Sequence, residues 1–307
     1  MPSSQKAQPF LKWAGGKRQL LPHLRRFYPP GVTRYVEPFL GSGAVFFDLW
    51  SSGRLRGARV LLSDENADLI GTYLRAADST EALLAALREL ATGHARGGEE
   101  HYYAVRDRAF NPARATWRTS GGVADGYPVP LAAMLVYMNR TGYNGLFRVN
   151  RRGDFNVPAG RYKTPSIVQD ERIRAAAAAL AAPGVCVRCR AFDDTLAEVG
   201  RGDLIYLDPP YAPLSLTANF RSYTALGFGD DDQKRLRDAV VRAARDGASI
   251  LLSNSTAPAI VRLYEDAAVH RAGLRCLLVP ARRAINSRAS ARGVIEELLV
   301  TNLPEAG

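Results

Sequence analysis

Asp203-Leu-Ile-Tyr-Leu-Asp-Pro-Pro-Tyr211 is the stretch on which the reading of the fold turns. Leu204 to Leu207 form an unbroken apolar run, the pattern of a strand covered on both faces rather than one with a solvated side. Asp208 and two prolines then end it, and proline cannot donate to a sheet ladder. Similar runs recur on either side, as in Val60-Leu-Leu62, and the predicted strands are 34–39, 59–64, 185–192, 203–208, 249–253, 274–279 and 297–301. Helical patterns lie between them. One starts at Asp78-Ser-Thr-Glu81, where Asp78 and Glu81 have capping-box spacing, and runs through Leu83, Leu84, Leu87 and Leu90. A second covers 173–182 and stops at Pro183-Gly184; a third covers 232–246 with Gly247 just past its end. Strands alternating with helices predict an α/β fold on a largely parallel sheet. The connection 280–296 is short and lacks a helical pattern, so the last two strands form a hairpin that places one antiparallel strand near the end of the sheet.

Residues 73–157 break this rhythm. A loop-rich section, 97–130, precedes an apolar helix, 131–138, whose Met134 and Met138 are core residues. Then comes Asn139-Arg-Thr-Gly-Tyr-Asn-Gly-Leu-Phe-Arg-Val-Asn-Arg-Arg-Gly-Asp-Phe-Asn-Val-Pro158, read as a hairpin with short strands 146–150 and 154–157 around Arg151-Arg-Gly153. Aromatic residues lie among its arginines.

The chain of 307 residues is 47% hydrophobic, enough to bury a sizeable core. No run of about 18 apolar residues is present, so no membrane span is expected. Met1 to Gln8 lack the apolar stretch of a secretory signal, which points to the cytoplasm. Cys186 and Cys189 have CxxC spacing, but they fall in a predicted strand, where residues three apart point to opposite faces, and no second pair accompanies them. The four histidines show no metal-binding spacing, and no metal is expected. The net charge of +11 favours a polyanionic partner. Arginine carries most of it and suits bidentate contacts to guanine and phosphate, although arginine-favouring codon usage accounts for most of that preference.

Three motifs carry chemistry. Asp208-Pro-Pro-Tyr211 stands where ligands bind in open α/β sheets, beyond the carboxyl end of a strand. The exocyclic amine of adenine is a poor nucleophile because its lone pair is delocalised into the ring. An anionic acceptor and a carbonyl held by proline can take its N–H bonds and stabilise the positive charge that builds during attack. Tyr211 offers a ring face to an unstacked base. The plainer reading is a strand-ending Asp and a Pro-Pro turn. Glu37-Pro-Phe-Leu-Gly-Ser-Gly43 is a glycine turn entering a helix, where backbone can approach a ligand. It has Phe46 where a dinucleotide fingerprint has its third glycine, and alone it reads as a plain tight turn rather than a site. Asp64 ends the next strand, where an acid accepts hydrogen bonds from ribose hydroxyls or else caps a helix. Gly15-Gly-Lys17 is no P-loop, since Leu11 and Arg18 replace the required residues. Alone, Trp13 reads as an anchor and Lys17 as a solvated cation.

As an ordered set these motifs resemble the Dam-type DNA adenine methyltransferases of class α. The set is Phe10-Leu-Lys-Trp-Ala-Gly-Gly-Lys17, the Val36–Gly43 turn, Ser63-Asp-x-Asn66, the Tyr143-Asn-Gly-Leu146 hairpin and Asp208–Tyr211, with Ala218-Asn-Phe220, Tyr223, Gly227-Phe-Gly229 and Leu252-Ser-Asn254. The resemblance runs from Phe10 to Thr301. It implies a Rossmann-like S-adenosylmethionine-dependent sheet with an inserted helical and hairpin DNA-recognition domain. Residues 1–72 and 159–307 would form the catalytic domain, and 73–158 the insert, with its hairpin at 145–158. Trp13, Lys17, Glu37, Phe39, Gly41, Gly43, Asp64 and Asp208 would contact the cofactor. Asp208, Pro209, Pro210 and Tyr211 would hold the flipped adenine. Lys12, Arg140, Tyr143, Asn144, Leu146, Arg148 and Pro158 would face double-stranded DNA, with Arg148 reading a guanine, within GATC. A monomer is the default expectation, and whether a cognate restriction endonuclease acts on the same site, without binding the enzyme, is left open by the sequence. Phe147 and Arg151-Arg152 depart from the family's pattern, and 97–130 aligns with nothing in it. The basic segment 282–292 either contacts phosphates or is merely exposed.

Three other readings compete. An RNA or protein-glutamine methyltransferase of related fold often carries Asn in place of Asp208 and lacks the hairpin. A non-catalytic DNA-binding relative predicts a damaged cofactor site, yet Lys17, Asp64 and Asp208–Tyr211 are present. A dinucleotide-dependent oxidoreductase leaves Asp208-Pro-Pro-Tyr211 unexplained.

Overall fold

The apolar runs pair into one sheet. Its strands are β1 (Arg34–Glu37), β2 (Arg59–Asp64), β3 (Val185–Cys189), β4 (Asp203–Leu207), β5 (Ser249–Ser255), β6 (Arg275–Arg282) and β7 (Val294–Thr301), in the order β3-β2-β1-β4-β5-β7-β6. The computed structural model describes residues 6–13, 15, 17–211, 228–282 and 294–305. Ala14, Gly16, the 218–227 part of the family-like stretch and residues 283–292 of the basic segment lie outside the described residues. The described helices are α1 (Leu21–Leu24), α2 (Ala44–Ser51), α3 (Ala67–Asp78), α4 (Thr80–Ala104), α5 (Asn111–Thr119), α6 (Val129–Thr141), α7 (Asp170–Leu180), α8 (Phe192–Leu196), α9 (Asp230–Arg245), α10 (Pro258–Tyr264) and α11 (Ala267–Arg271).

β1 pairs in parallel with β2, Val36 opposite Leu61, and with β4, Val36 opposite Ile205. β4 pairs in parallel with β5. β7 runs antiparallel to both β5 and β6, so the expected single antiparallel strand sits one place in from the edge. The order changes direction between β1 and β4, the place where open α/β sheets form a crevice beyond their carboxyl ends. Several strands stop earlier than predicted. β1 ends at Glu37 because Pro38 has no N–H to give, and residues 192–196 form α8 instead of extending β3.

The chain forms two compact units. One comprises Lys17–Leu40, Ser52–Ser63 and Arg190–Gly307. Every residue of β4 is buried, as are Tyr35, Val36, Ile250, Leu251, Leu252 and Leu298–Val300, which explains why their sequences show no alternation. α9 places Leu236, Ala239, Val240 and Ala243 inward. It carries Asp230–Asp232 in its first turn and Arg242 and Arg245 in its last, the arrangement its dipole favours. Gly247 follows with φ +91°, as the helix-end reading expected.

The other unit comprises Met1–Gly16, Gly41–Ser51 and Asp64–Cys189. α3, α4 and α6 bury Leu69, Ile70, Tyr73, Leu83, Leu84, Leu87, Leu131, Leu135 and Val136. The expected loop at 97–130 is largely helical. α4 continues to Ala104 and breaks its geometry at Gly98 (φ +49°, ψ −123°), a π-helical turn covers Val105–Phe110, and α5 follows. Glycines and polar residues hide these helices in the sequence, and tertiary anchors form them: His94, His101 and Tyr102 gather round Tyr137, and Phe110 packs edge-on against Phe155 at 5.9 Å. The capping box predicted at Asp78 does not form. Asp78 closes α3 and binds Arg75 at 2.5 Å and Ser79 at 2.8 Å, and α4 starts after Ser79 without a side-chain cap. The hairpin is present as a chain reversal with isolated bridges, Gly142–Ala159 and Val149–Phe155, rather than as two strands. Asn150 closes the turn: its Oδ1 accepts from the N–H of Arg152 and of Asp154. Among the described residues, backbone bonds between 146–150 and 154–157 are confined to Asn150 N–H to the Asp154 carbonyl at 2.8 Å and Asn156 N–H to the Arg148 carbonyl at 3.0 Å.

Gly71 lies on α3 where an added Cβ would enter the ring of Tyr127. That ring is fully buried and its hydroxyl donates to Asp68 at 2.9 Å, so it has nowhere to move. Alanine favours a helix over glycine by about 1 kcal/mol, whereas overpacking a fixed core costs about 1–3 kcal/mol. Gly71→Ala is therefore expected to lower stability in urea denaturation despite its better helix propensity. A midpoint equal to or above that of the unmodified protein would contradict the packing described.

Candidate functional site

The carboxyl end of β4 carries a compact charged cluster. Asp208 Oδ1 receives Lys17 Nζ at 2.8 Å and the Ser253 hydroxyl at 3.2 Å, and neither bond uses Oδ2. Ser253 stands on β5 and lies 3.0 Å from the Tyr206 hydroxyl, which orients it toward Asp208. Lys17 is only 5% exposed, so the expectation of a solvated lysine fails; its ammonium also sits over the Tyr211 ring, 4.2 Å from the centroid. The Tyr211 hydroxyl donates to Glu297 on β7 at 2.7 Å, and Glu297 lies 4.0 Å from Lys17. One lysine thus balances two carboxylates and grips a tyrosine ring.

These neighbours set the Asp208 carboxyl at a pKa of about 6. Burial raises it most, Lys17 pulls it down, Glu297 pushes it up and Ser253 lowers it. Burial and the two carboxylates push the Tyr211 phenol well up, so it remains a hydrogen-bond donor. The Pro-Pro turn is braced separately. The Pro210 carbonyl accepts from Gln233 Nε2 at 3.1 Å, and Gln233 Oε1 accepts from Asn254 Nδ2 at 3.1 Å. Both amides are buried, which fixes the peptide plane between Pro210 and Tyr211.

Glu297 and Gln233 were not picked out by motif, and Ser253 entered only as the middle of Leu252-Ser-Asn254, with no role assigned. Glu297 heads the apolar run Leu298-Leu-Val300, and an acid opening a buried strand is a usable signal. Alternation alone did not separate it from Glu296, which is exposed. Glu37, at the end of β1, is buried and accepts from the Tyr35 hydroxyl at 2.7 Å. Phe39 stacks on Phe192 at 5.4 Å and meets Phe228 edge-on at 5.7 Å, forming an aromatic wall after β1.

In the other unit the glycine turn and Asp64 form one construction. Gly41 has φ +47°, a conformation glycine adopts without strain, and its N–H donates to Asp64 Oδ2 at 3.0 Å. Asp64 Oδ1 accepts from the N–H of Asn66 at 3.0 Å. The cap of α3 is Asn66, not Asp64, since Asn66 Oδ1 accepts from Leu69 N–H at 3.1 Å. The Tyr73 hydroxyl donates to the Gly41 carbonyl at 2.9 Å. Trp13 lies so close that a Cβ on Gly41 would stand 3.0 Å from its Cδ1. Gly43, with φ +66°, leads into α2. An indole ring, a left-handed glycine and an acid held, among the described residues, by backbone N–H groups can cradle a nucleoside: the ring for a base and the carboxylate for hydroxyls. Burial pushes the Asp64 carboxyl up to about 6 against the lowering effect of its two backbone bonds.

The hairpin face is also in this unit. The Asn139 side chain accepts from Lys12 N–H at 2.8 Å and donates to the carbonyls of Lys12 and Gly145, at 2.6 and 2.9 Å, so it ties the N-terminal segment to the turn after α6. Lys12 reaches over the ring of Tyr162, 4.4 Å from its centroid. Tyr143 is 47% exposed and Arg148 and Pro158 are exposed, whereas Leu146 is half-buried. Asn144 holds φ +54°, a left-handed conformation uncommon for a residue with a side chain. Arg148 is steered by Asn156, which accepts from its Nε at 2.8 Å. Arg140 differs from the rest: it is 8% exposed within α6, and that burial argues against the DNA contact expected of it. Among the described residues no cluster of His, Cys, Asp or Glu is gathered as for a metal ion, and no helix is long and apolar enough to cross a membrane.

Comparison with known proteins places these features in context. Residues 13–275 match the family described as D12 class N6 adenine-specific DNA methyltransferase. The chain is 38% identical to the Type II methyltransferase M1.LlaDCHI of Lactococcus lactis subsp. cremoris, over 96% of this chain and 95% of the relative. It is 36% identical to the Type II methyltransferase M.MjaIII of Methanocaldococcus jannaschii, over 96% and 99%. It is 35% identical to the DNA adenine methylase of Escherichia coli K12, over 98% and 97%.

Asp64 gives a test of the electrostatics. Burial favours its neutral form, so the folded chain holds this proton more tightly than the unfolded chain. The carboxylate therefore costs nothing below its ordinary value of 3.8, an increasing amount as pH rises toward 6, and the full amount above that. A shift of that size corresponds to on the order of 2–3 kcal/mol. Asp64→Asn is expected to match the unmodified protein in urea denaturation near pH 4 and to exceed it near pH 8. A stability gap that does not widen between those values would show that Asp64 is not desolvated.

Proposed function

The chain belongs to the D12 class of N6 adenine-specific DNA methyltransferases, and on that footing we propose that it methylates adenine within GATC, reading the site with its 145–158 hairpin. It is an enzyme whose substrate is DNA and whose methyl donor is S-adenosylmethionine. When bound, the donor supplies a methyl group on a cationic sulfonium. The residues present fit such a group: the Trp13 ring against Gly41 and the backbone-held Asp64 carboxylate make a cradle that a Cβ on Gly41 would fill. Trp13, Gly41, Gly43 and Asp64 are assigned to the nucleoside part of the donor. Lys17, Glu37, Phe39 and Asp208 complete its contacts.

The observation that carries the assignment of the reacting groups is the Lys17–Asp208–Tyr211–Glu297 cluster beyond β4, at the switch in strand order. Oδ2 of Asp208 and the Pro209 carbonyl accept the two N6–H bonds of a flipped adenine, and the nitrogen lone pair is thereby directed at the methyl group. Tyr211 stacks on the base, its ring angle set by Glu297 through the hydroxyl and by the Lys17 ammonium over its face. Lys17 keeps Asp208 ionised in a buried setting, and the N6 proton leaves to water after transfer. Residues 73–158 form the target-recognition segment between the catalytic parts 1–72 and 159–307. Lys12, Tyr143, Asn144, Leu146, Arg148 and Pro158 face the duplex. Tyr143 wedges into it, Asn144 supports the displaced strand and Arg148 reads a guanine. The protein works as a monomer in the cytoplasm, with a cognate restriction endonuclease as a functional counterpart that does not bind it.

The test uses purified protein, methyl-labelled S-adenosylmethionine and unmethylated duplex DNA, read by nucleoside mass spectrometry and methylation mapping. N6-methyladenine confined to GATC is the expected product. N6-methyladenine elsewhere would overturn the specificity assigned to the hairpin. Asp208→Ala is expected to lower turnover by roughly 10²–10³-fold while duplex affinity stays within about threefold. Because a protonated Asp208 cannot accept both N6–H and Lys17, turnover by the unmodified enzyme is expected to fall as pH drops below about 6. Near-normal turnover by Asp208→Ala would remove Asp208 from the mechanism.

A further inference from the structure

Arg114 and Asp68 form a buried ion pair that the reaction does not use. Asp68 is 3% exposed and Arg114 6%. The guanidinium grips the carboxylate with two nitrogens: Nε lies 2.8 and 2.9 Å from the two oxygens, and Nη2 lies 2.7 Å from Oδ2. The Tyr127 hydroxyl donates to Oδ1 at 2.9 Å. A buried pair is tolerated only when its geometry is this complete, and such a pair has little freedom to slide. Its ends belong to different jobs. Asp68 stands in the first turn of α3, two residues after Asn66, whose own N–H is held by Asp64. The remaining guanidinium nitrogen, Nη1, donates to the carbonyl of Gly153 in the hairpin turn.

A second thread runs alongside. The Phe147 ring on the hairpin lies 5.8 Å from the Arg114 guanidinium carbon. The same ring stacks on Trp13, with centroids 5.7 Å apart and planes 24° apart, and Trp13 is the indole packed against Gly41. Phe147 also packs on Phe155 across the hairpin at 5.7 Å.

We propose that Phe147 and Arg114 couple the recognition hairpin to the cofactor cradle, so that the cofactor-bound protein holds its duplex more tightly than the empty one. Phe147 passes the position of the hairpin to the Trp13 ring, and Arg114 fixes the hairpin turn to the helix that begins beside Asp64. Both are positioning residues, and the inference rests on the reading of Trp13 as a cofactor contact and of the hairpin as the DNA reader. Linkage requires the effect to be reciprocal: duplex tightens cofactor binding by the same factor, and factors of roughly 5–150 are usual for such coupling.

The experiment measures duplex affinity by fluorescence anisotropy with and without saturating S-adenosylhomocysteine, a product that binds without reacting. The unmodified protein is expected to bind GATC duplex about tenfold more tightly with the product present. Phe147→Leu keeps an apolar side chain at the site and leaves the Arg114–Asp68 pair in place. It is expected to bind each ligand alone within about threefold of the unmodified protein but to lose the coupling factor, and Phe147→Tyr is expected to restore it. Arg114→Lys keeps a charge facing Asp68 without the planar fork and is expected to reduce the factor in the same direction. If Arg114→Lys does not fold, Phe147→Leu decides the matter alone. A Phe147→Leu protein with an undiminished factor overturns the proposal. An unmodified protein that binds both ligands with a factor of one overturns it too, and leaves the DNA-methylation reading standing. Failure of the unmodified protein to bind duplex at all would sink that reading, and the coupling with it.

Discussion

A carboxylate at the buried end of a strand is the constraint around which the catalytic unit is arranged. Asp208 follows five consecutive buried residues, and burial alone would leave it protonated. Lys17 supplies the compensating charge, which is why a lysine from the N-terminal motif is buried rather than solvated. That lysine in turn needs a full set of partners. It finds a second carboxylate in Glu297 and a ring face in Tyr211. The antiparallel strand β7 thereby acquires a role beyond completing the sheet, because it delivers Glu297 to the hydroxyl of Tyr211.

Asp64 answers the same difficulty with different means. Two backbone N–H groups, from Gly41 and Asn66, hold it where Asp208 has a lysine. Both acids settle near a pKa of 6. Backbone donors come with a turn of fixed shape, and that shape depends on the left-handed conformation of Gly41. A residue with a side chain there would be strained and would press on Trp13. The helix cap is passed to Asn66, which leaves Asp64 to serve the site.

The sheet was legible from the chain because its strands are buried on both faces. Runs such as Val60-Leu-Leu62 and Leu204-Ile-Tyr-Leu207 have no other reading at that length, and the short link between the last two strands gave the hairpin its antiparallel sense. The helices of 97–130 were not legible. Their glycines and polar residues argue for loop, and aromatic contacts such as those of His94, His101 and Tyr102 with Tyr137 outweigh that local preference. The hairpin strands were over-read: Asn150 closes the turn with its own side chain, and among the described residues backbone bonds between 146–150 and 154–157 are confined to Asn150 with Asp154 and Asn156 with Arg148.

By itself the sequence determined the fold class, the strands and the identity of the acids and glycines that end them. Periodicity, proline and glycine are properties of neighbouring residues and act over a few positions. What only the tertiary structure decided was partnership across long separations. It paired Lys17 with Asp208, gave Tyr211 to Glu297, braced Pro210 through Gln233, withdrew Arg140 into a helix interior and joined Arg114 to Asp68. Buried charges and hydrogen-bonding groups must find partners wherever the fold places them, and no local pattern records which side chain that will be.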